Sequence, residues 1–322
     1  MNPGGPRTEP ERPLAAELYR SQAFGGKFSR PQPIESDRPG AILAYTARPM
    51  DLAALWPWLL VLVACSLFAG VVAGLLGVGG GIVLVPVLDV VLRAGGVPAD
   101  WSMHIAIATS LATIIPTAIA SSRAHHARGG VDWGIARAWA PGMLCGALAG
   151  SLLAARAPDA WLDGVFGIVA AAVATKMLLT PPDLRLADTT PRGAGGNLIA
   201  AVIGGLSAMM GIGGGTLSVP AMTLTGGAIH QAVGTAAFFG LLIALPGTLG
   251  YLSADAATGL PPLTLGLVSL PALAVVAPCT MLTAPWGARL AHRLPRRLLS
   301  QVFGVFLAIV SLRMFYRMTT SF

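Results

Sequence analysis

Apolar residues fill this chain in long runs from Leu55 to Phe315, interrupted by short clusters of glycine, proline and charge. The runs cover approximately 55–76, 82–93, 104–121, 136–155 and 161–179, then 197–211, 215–226, 231–252, 263–291 and 298–316. Runs of about 20 residues are long enough to cross the hydrocarbon core as helices, whereas those of about 12–15 suit broken or re-entrant pieces. Both short pieces, 82–93 and 215–226, follow a glycine cluster. The pattern predicts an all-α integral membrane protein of about 8–10 membrane segments with glycine-broken helices.

The two glycine clusters are copies of one motif. Gly77-Val78-Gly79-Gly80-Gly81-Ile82-Val83-Leu84-Val85-Pro86 returns as Gly211-Ile212-Gly213-Gly214-Gly215-Thr216-Leu217-Ser218-Val219-Pro220, an offset of 134 residues. A second block, His104-Ile-Ala-Ile-Ala-Thr109-Ser110, matches His230-Gln-Ala-Val-Gly-Thr235-Ala236 at an offset of 126. A third, Phe166-Gly167 to Lys176-Met177, matches Phe303-Gly304 to Arg313-Met314 at 137. Three blocks in the same order predict two homologous repeats, 55–180 and 197–317, joined by a polar linker over 181–196. If each motif is a hairpin tip, each half has five segments and the repeats are inverted. The loops bearing Arg123 and Arg128, Arg185 and Arg192, and Arg293 to Arg297 then share one side, which their charge assigns to the cytoplasm. If each short piece is half of one crossing, four crossings per half make the repeats parallel.

Composition sharpens the class. Of 322 residues, 54% are hydrophobic and 11% charged, with mean hydropathy +0.71, against about 25% charged in soluble domains. The net charge of +7 lies in the tail and between apolar runs, so it reads as a topology signal and not as a nucleic-acid surface. Residues 1–50 are rich in Pro and Gly and lack an apolar run, which predicts a disordered, uncleaved tail, with a short amphipathic helix at 14–24 as its one candidate element. That tail holds Glu9, Glu11, Glu17, Glu35 and Asp37, five of 14 carboxylates, and leaves few for chemistry in the membrane.

A helix starting just after Gly81 or Gly215 presents unpaired N–H groups and the positive end of its dipole, so it can hold an anion without a charged side chain. Glycine permits positive φ and close ligand approach, and Pro86 and Pro220 relax each short helix. The competing reading is close helix packing through small residues. Thr109, Ser110 and Thr235 are hydroxyls inside apolar helices that either donate to a bound oxyanion or bond back to a carbonyl one turn earlier. His104 and His230 stand at helix edges, suited to capping or to proton coupling. Asp89 is the one carboxylate within an apolar run and away from its ends, the others lying in the tail or at segment ends, and it is a coupling candidate whose alternative is an ion pair with Arg93 four residues on. The matching position, Thr223, carries no charge. Lys176 and Arg313, near helix ends, are expected to snorkel to the interface, and His125 and His126 to be solvated. Cys65, Cys145 and Cys279 are scattered through apolar runs and read as small buried hydrophobes, with no metal or cofactor motif.

At the glycine motifs together with the two His-x-Ala-x-[Ala/Gly]-Thr blocks, the chain resembles the TauE/SafE sulfite exporter family over about residues 57–317. The resemblance implies a multipass inner-membrane transporter, generally without ATP hydrolysis, for small sulfur-containing anions such as sulfite, sulfoacetate or thiosulfate. It implicates Gly77, Gly79, Gly80, Gly81, Pro86, Thr109 and Ser110 with Gly211, Gly213, Gly214, Gly215, Pro220 and Thr235. Ala236 where the first half has Ser110, and the long tail, depart from the pattern. A small anionic substrate and the bilayer are the expected partners, with coupling to protons or another ion open. Alternatives are a transporter of another small anion, or a structural or receptor-like membrane protein. An enzyme would need convergent catalytic groups that the sequence does not supply, and an ATP-driven pump a GxxxxGK[ST] motif that it lacks.

Overall fold

Backbone polar groups in hydrocarbon must be paired within their own segment, which forces long apolar runs into helices. In the computed structural model, residues 52–77, 79–179, 187, 189–254, 260, 263–290 and 296–320 are described. They form ten helices: α1 (Leu52–Leu76), α2 (Gly81–Ala94), α3 (Ala99–His126), α4 (Trp133–Ala154), α5 (Asp159–Leu179), α6 (Gly193–Met209), α7 (Gly215–Leu224), α8 (Ile229–Leu252), α9 (Leu270–Leu290) and α10 (Arg296–Thr320). Five of them, α1, α3, α5, α8 and α9, are long and apolar enough to cross a membrane. The expected tail over 1–50, with its candidate helix at 14–24, and most of the 181–196 linker lie outside the described residues.

Element order repeats: a helix, a short helix begun by the glycine motif, then three longer helices, twice over. One boundary differs from the sequence reading. The run expected at 263–291 begins as an antiparallel β-hairpin, β1 (Thr264–Leu265) with β2 (Val268–Ser269), and turns helical only at Leu270. Leu263 and Gly266 take φ of 64° and 54° there, a turn conformation that a helix cannot absorb.

Packing registers give the helix directions. α1 and α9 run parallel, with Gly70 against Thr280, Gly74 against Ala284 and Ala288, and Gly287 back against Val71. α4 and α6 also run parallel, with Gly142 against Asn197, Gly146 against Ala201 and Gly150 against Gly205. Each contact is so close that a Cβ would overlap backbone atoms, the small-residue packing that drives helix association in lipid. By contrast α3 and α8 are antiparallel, Ile114 lying near Gly240 and Leu111 near Gly247. α5 and α10 are antiparallel too, tied where Ser311 Oγ donates to Gly167 O at 2.9 Å and Gly304 meets Leu178.

The end of α3, the end of α9 and the start of α6 lie at one end of the bundle. There His125 Nε2 meets Gly74 O at 3.0 Å, Ala288 packs on Gly74, and Arg192 lies beside Gly134. Arg123, Arg128, Arg192 and Arg289 therefore cluster at that end. His125 is 4% exposed, not solvated as expected, because it closes this contact; His126 is exposed. The three cysteines are free, and Cys145 faces outward from α4 instead of inward.

Candidate functional site

The glycine clusters end α1 and α6 and start α2 and α7. Gly80, the N-cap of α2, takes φ 75° and receives no side-chain cap; its carbonyl accepts from Val83 N and Leu84 N at 3.1 Å each. The N–H groups of Gly81 and Ile82 have, by position, no partner within the helix. Gly77, Gly79 and Gly211 also take positive φ, whereas Gly214, the N-cap of α7, is right-handed at φ −54°. The motifs share a sequence but not a backbone conformation.

These two tips meet in the bundle centre. A Cβ on Gly81 would overlap the Gly211 carbonyl oxygen and lie 2.9 Å from Ser110 Oγ, and one on Gly79 would lie 3.1 Å from the Gly213 Cα. Ser110, buried on α3, donates to Gly211 O at 2.8 Å and so pins the second tip beside the start of α2. Gly214 faces α8 from the other side, against Phe239 and Ile243. Gly77, Gly79, Gly80, Gly81, Gly211, Gly213, Gly214 and Gly215 thus form one buried junction, and 134 residues of sequence separate its halves.

The threonines stand apart from that junction and do matching work. Thr109 Oγ1 accepts from Ser269 N at 2.9 Å, and Thr235 Oγ1 accepts from Asp132 N at 2.8 Å. Each therefore fixes the chain just before the fourth helix of the opposite half, and each keeps a hydroxyl hydrogen to donate. Ser207, Thr216 and Ser218, around the second motif, are buried with no hydrogen-bond partner among the described residues. Buried hydroxyls cost free energy unless bonded. Their counterparts on the first short helix include the apolar Ile82 and Leu84.

Lys176 and Arg313 overturn the snorkelling expectation. Lys176 Nζ on α5 donates to Pro220 O of α7 at 3.2 Å, and Arg313 Nη1 on α10 donates to Pro86 O of α2 at 3.2 Å. Each half sends a cation to the motif proline of the other. The signal was available: the cations are equivalent in the third block and the prolines equivalent in the first.

Asp89, fully buried, accepts from Ser102 Oγ at 2.7 Å and pairs with Arg93 Nε at 2.9 Å and Arg313 Nη2 at 3.4 Å. Arg93 also reaches Asp159 at 3.7 Å, and Asp159 lies 2.6 Å from His104 Nδ1. His104 Nε2 meets the Ala157 carbonyl at 2.9 Å, so both ring nitrogens face acceptors. Asp89 and His104 thus belong to one charged network at the end of the bundle away from the arginine loops, while His230 is exposed at the opposite end and joins neither. Asp159 escaped the sequence reading because it opens a helix, where acids ordinarily serve the dipole; the buried Asp163, one turn further on, reads in the sequence as lying at a segment end.

The sequence profile of the family described as sulfite exporter TauE/SafE matches residues 62–314. A probable membrane transporter protein of Haemophilus influenzae is 32% identical over 271 residues, 82% of this chain and all of the relative. One from Bacillus subtilis is 31% identical over 182 residues, 51% of this chain and 67% of the relative. One from Methanocaldococcus jannaschii is 24% identical over 254 residues, 76% of this chain and 92% of the relative. No solved structure matches the chain.

Proposed function

The chain belongs to the TauE/SafE sulfite exporter family and is a multipass membrane transporter, and from that premise we propose that it carries a small sulfur-containing oxyanion by secondary, alternating-access transport. The observation carrying this reading is the meeting of the glycine tips. The tips touch at Gly81 with Gly211 and at Gly79 with Gly213, and the first N–H groups of the helix that each tip begins have, by position, no partner within that helix; such groups attract oxyanions without a compensating side-chain charge. Thr216, Ser218 and Ser207 add hydroxyls lacking acceptors on the same side as the second tip, which suits a ligand rich in acceptor oxygens and poor in donors. In the proposed mechanism the anion enters between the tips, Thr109 and Thr235 hold the framework in register, and access alternates as one half moves against the other.

The antiparallel packing of α3 with α8 and of α5 with α10 supports inverted repeats, the arrangement in which paired broken helices mark the substrate site. The arginine-bearing end is then cytoplasmic in an inner or plasma membrane. Proteoliposomes of the purified protein, challenged with sulfite, sulfate, thiosulfate, sulfoacetate and taurine with and without a pH gradient, test the proposal. Saturable flux of one sulfur oxyanion is the expected result. Equal flux of non-sulfur anions would replace the substrate class, and no flux of any anion by folded protein would remove the mechanism.

A further inference from the structure

A cavity of about 270 Å³ lies at the arginine-bearing end between the close of α3, the start of α4 and α8. Ile119, Arg123, His126, Trp133, Phe238 and Leu241 line it. Trp133 joins its two sides: the ring meets His126 edge-on at 5.4 Å and Phe238 at 5.2 Å. Arg123 is exposed, and its guanidinium makes no hydrogen bond or ion pair among the described residues.

This cavity is not on the route to the glycine junction. On α3 the face toward the motifs carries Ile114, and Arg123 is nine residues further, about 180° around the helix at 100° per residue. On α8 the junction packs on Phe239 and Ile243, and Leu241 stands two residues from each, about 200° away. The cavity therefore opens on the far face of the α3–α8 pair. From Leu241 an apolar stripe continues one helical turn at a time through Leu245 and Leu249, which are 43% and 62% exposed. It leads about 12 Å away from the cations at 1.5 Å per residue. Leu249 also occupies, by the 126-residue offset, the position equivalent to Arg123. Cations thus mark only one end of the stripe.

A positive mouth, an aromatic at the interface and an outward apolar stripe match an amphiphile of the cytoplasmic leaflet, where anionic lipids meet basic residues. We infer that this face binds an anionic phospholipid, its phosphate at Arg123 and His126 and one acyl chain along Ile119, Leu241, Leu245 and Leu249. A free oxyanion has no use for the stripe. A second copy docked about a two-fold axis through this patch would bring the same arginine against this one.

Native mass spectrometry of the full-length protein in neutral detergent, titrated with phosphatidylglycerol or phosphatidylcholine, tests it. One phosphatidylglycerol should be retained at least about fivefold more tightly than phosphatidylcholine, the contribution of roughly one cation at an anionic surface. Arg123→Ala with His126→Ala should remove that preference, Arg123→Lys should keep it, and Ile119→Trp, which fills the groove with the cations intact, should weaken retention of the lipid. Equal retention of both lipids by the wild type overturns the assignment. So does displacement of phosphatidylglycerol by millimolar inorganic phosphate or sulfite, which would mark a free-anion site, or a lipid-independent dimer that the variants split.

Discussion

Gly81→Ala is the sharpest perturbation of the junction because it adds one methyl group where two backbones meet. That carbon would overlap the Gly211 carbonyl oxygen and sit 2.9 Å from Ser110 Oγ. Ordinary contacts of about 3.5 Å require the tips to part by on the order of 1 Å. Neither neighbour can yield cheaply, since one is backbone and the other is held by its bond to Gly211 O at 2.8 Å. Overpacking costs about 1–3 kcal/mol, and replacing glycine by alanine in a helix returns about 1 kcal/mol. We expect a net loss of about 0–2 kcal/mol, read as a modest fall in melting temperature, together with loss of most oxyanion flux in proteoliposomes. Gly195→Ala is the control: its Cβ meets nothing within 4 Å, so it should leave flux intact and stability equal or slightly higher. Wild-type flux and melting in Gly81→Ala would refute the closeness of the tips and the transport role given to them.

Other consequences follow from single bonds. Thr109→Val and Thr235→Val each remove the acceptor of one half-buried backbone N–H, at no more than about 1–3 kcal/mol, so their melting temperatures should fall by similar amounts; a large effect in one alone would contradict their equivalence. Arg313→Met loses bonds to both Pro86 O and Asp89, whereas Lys176→Met loses only Pro220 O, so detergent melts should rank Arg313→Met as the more destabilised. Asp89→Ala leaves Arg93 and Arg313 without this partner. Their side chains are 31% and 37% exposed, so solvent should hold the cost to about 1–3 kcal/mol, below the 3–5 of a fully buried broken pair, and a scanning melt checks it.

The class, the helix count and the family were readable because lipid imposes strong rules on composition and period. The glycine motif was readable because it occurs twice. What the sequence hid were relations between distant residues. Nothing in the string Gly142-x-x-x-Gly146-x-x-x-Gly150 says that its partner is α6, although the spacing marks a packing face. Lys176 and Arg313 looked like interfacial anchors because position along a helix was all the sequence offered; their targets lie 44 and 227 residues away. His125 looked solvated for the same reason. Thr109 and Thr235 were matched with each other by the second sequence block, but the chain they hold could be seen only once the halves were docked.

The two ends of the bundle are unequal, and that inequality has a measurable consequence. Asp89, Arg93, Asp159 and His104 tie α2, α3 and α5 together at one end. At the equivalent places of the second half stand Thr223, Gly227 and the exposed His230, which cannot form that network. Two access states related by exchanging the halves would be equal in free energy only if these contacts were equal. Under the alternating-access mechanism proposed above, the end holding the network is expected to be the more firmly closed. Asp159→Asn removes the carboxylate charge facing both His104 and Arg93 while leaving the packing in place. Hydrogen exchange should then quicken across residues 95–105, which include Ser102 and His104 of the network, and stay unchanged across 125–135 at the arginine-bearing end. Equal changes at both ends, or none at either, would show that the charges do not bias which end opens.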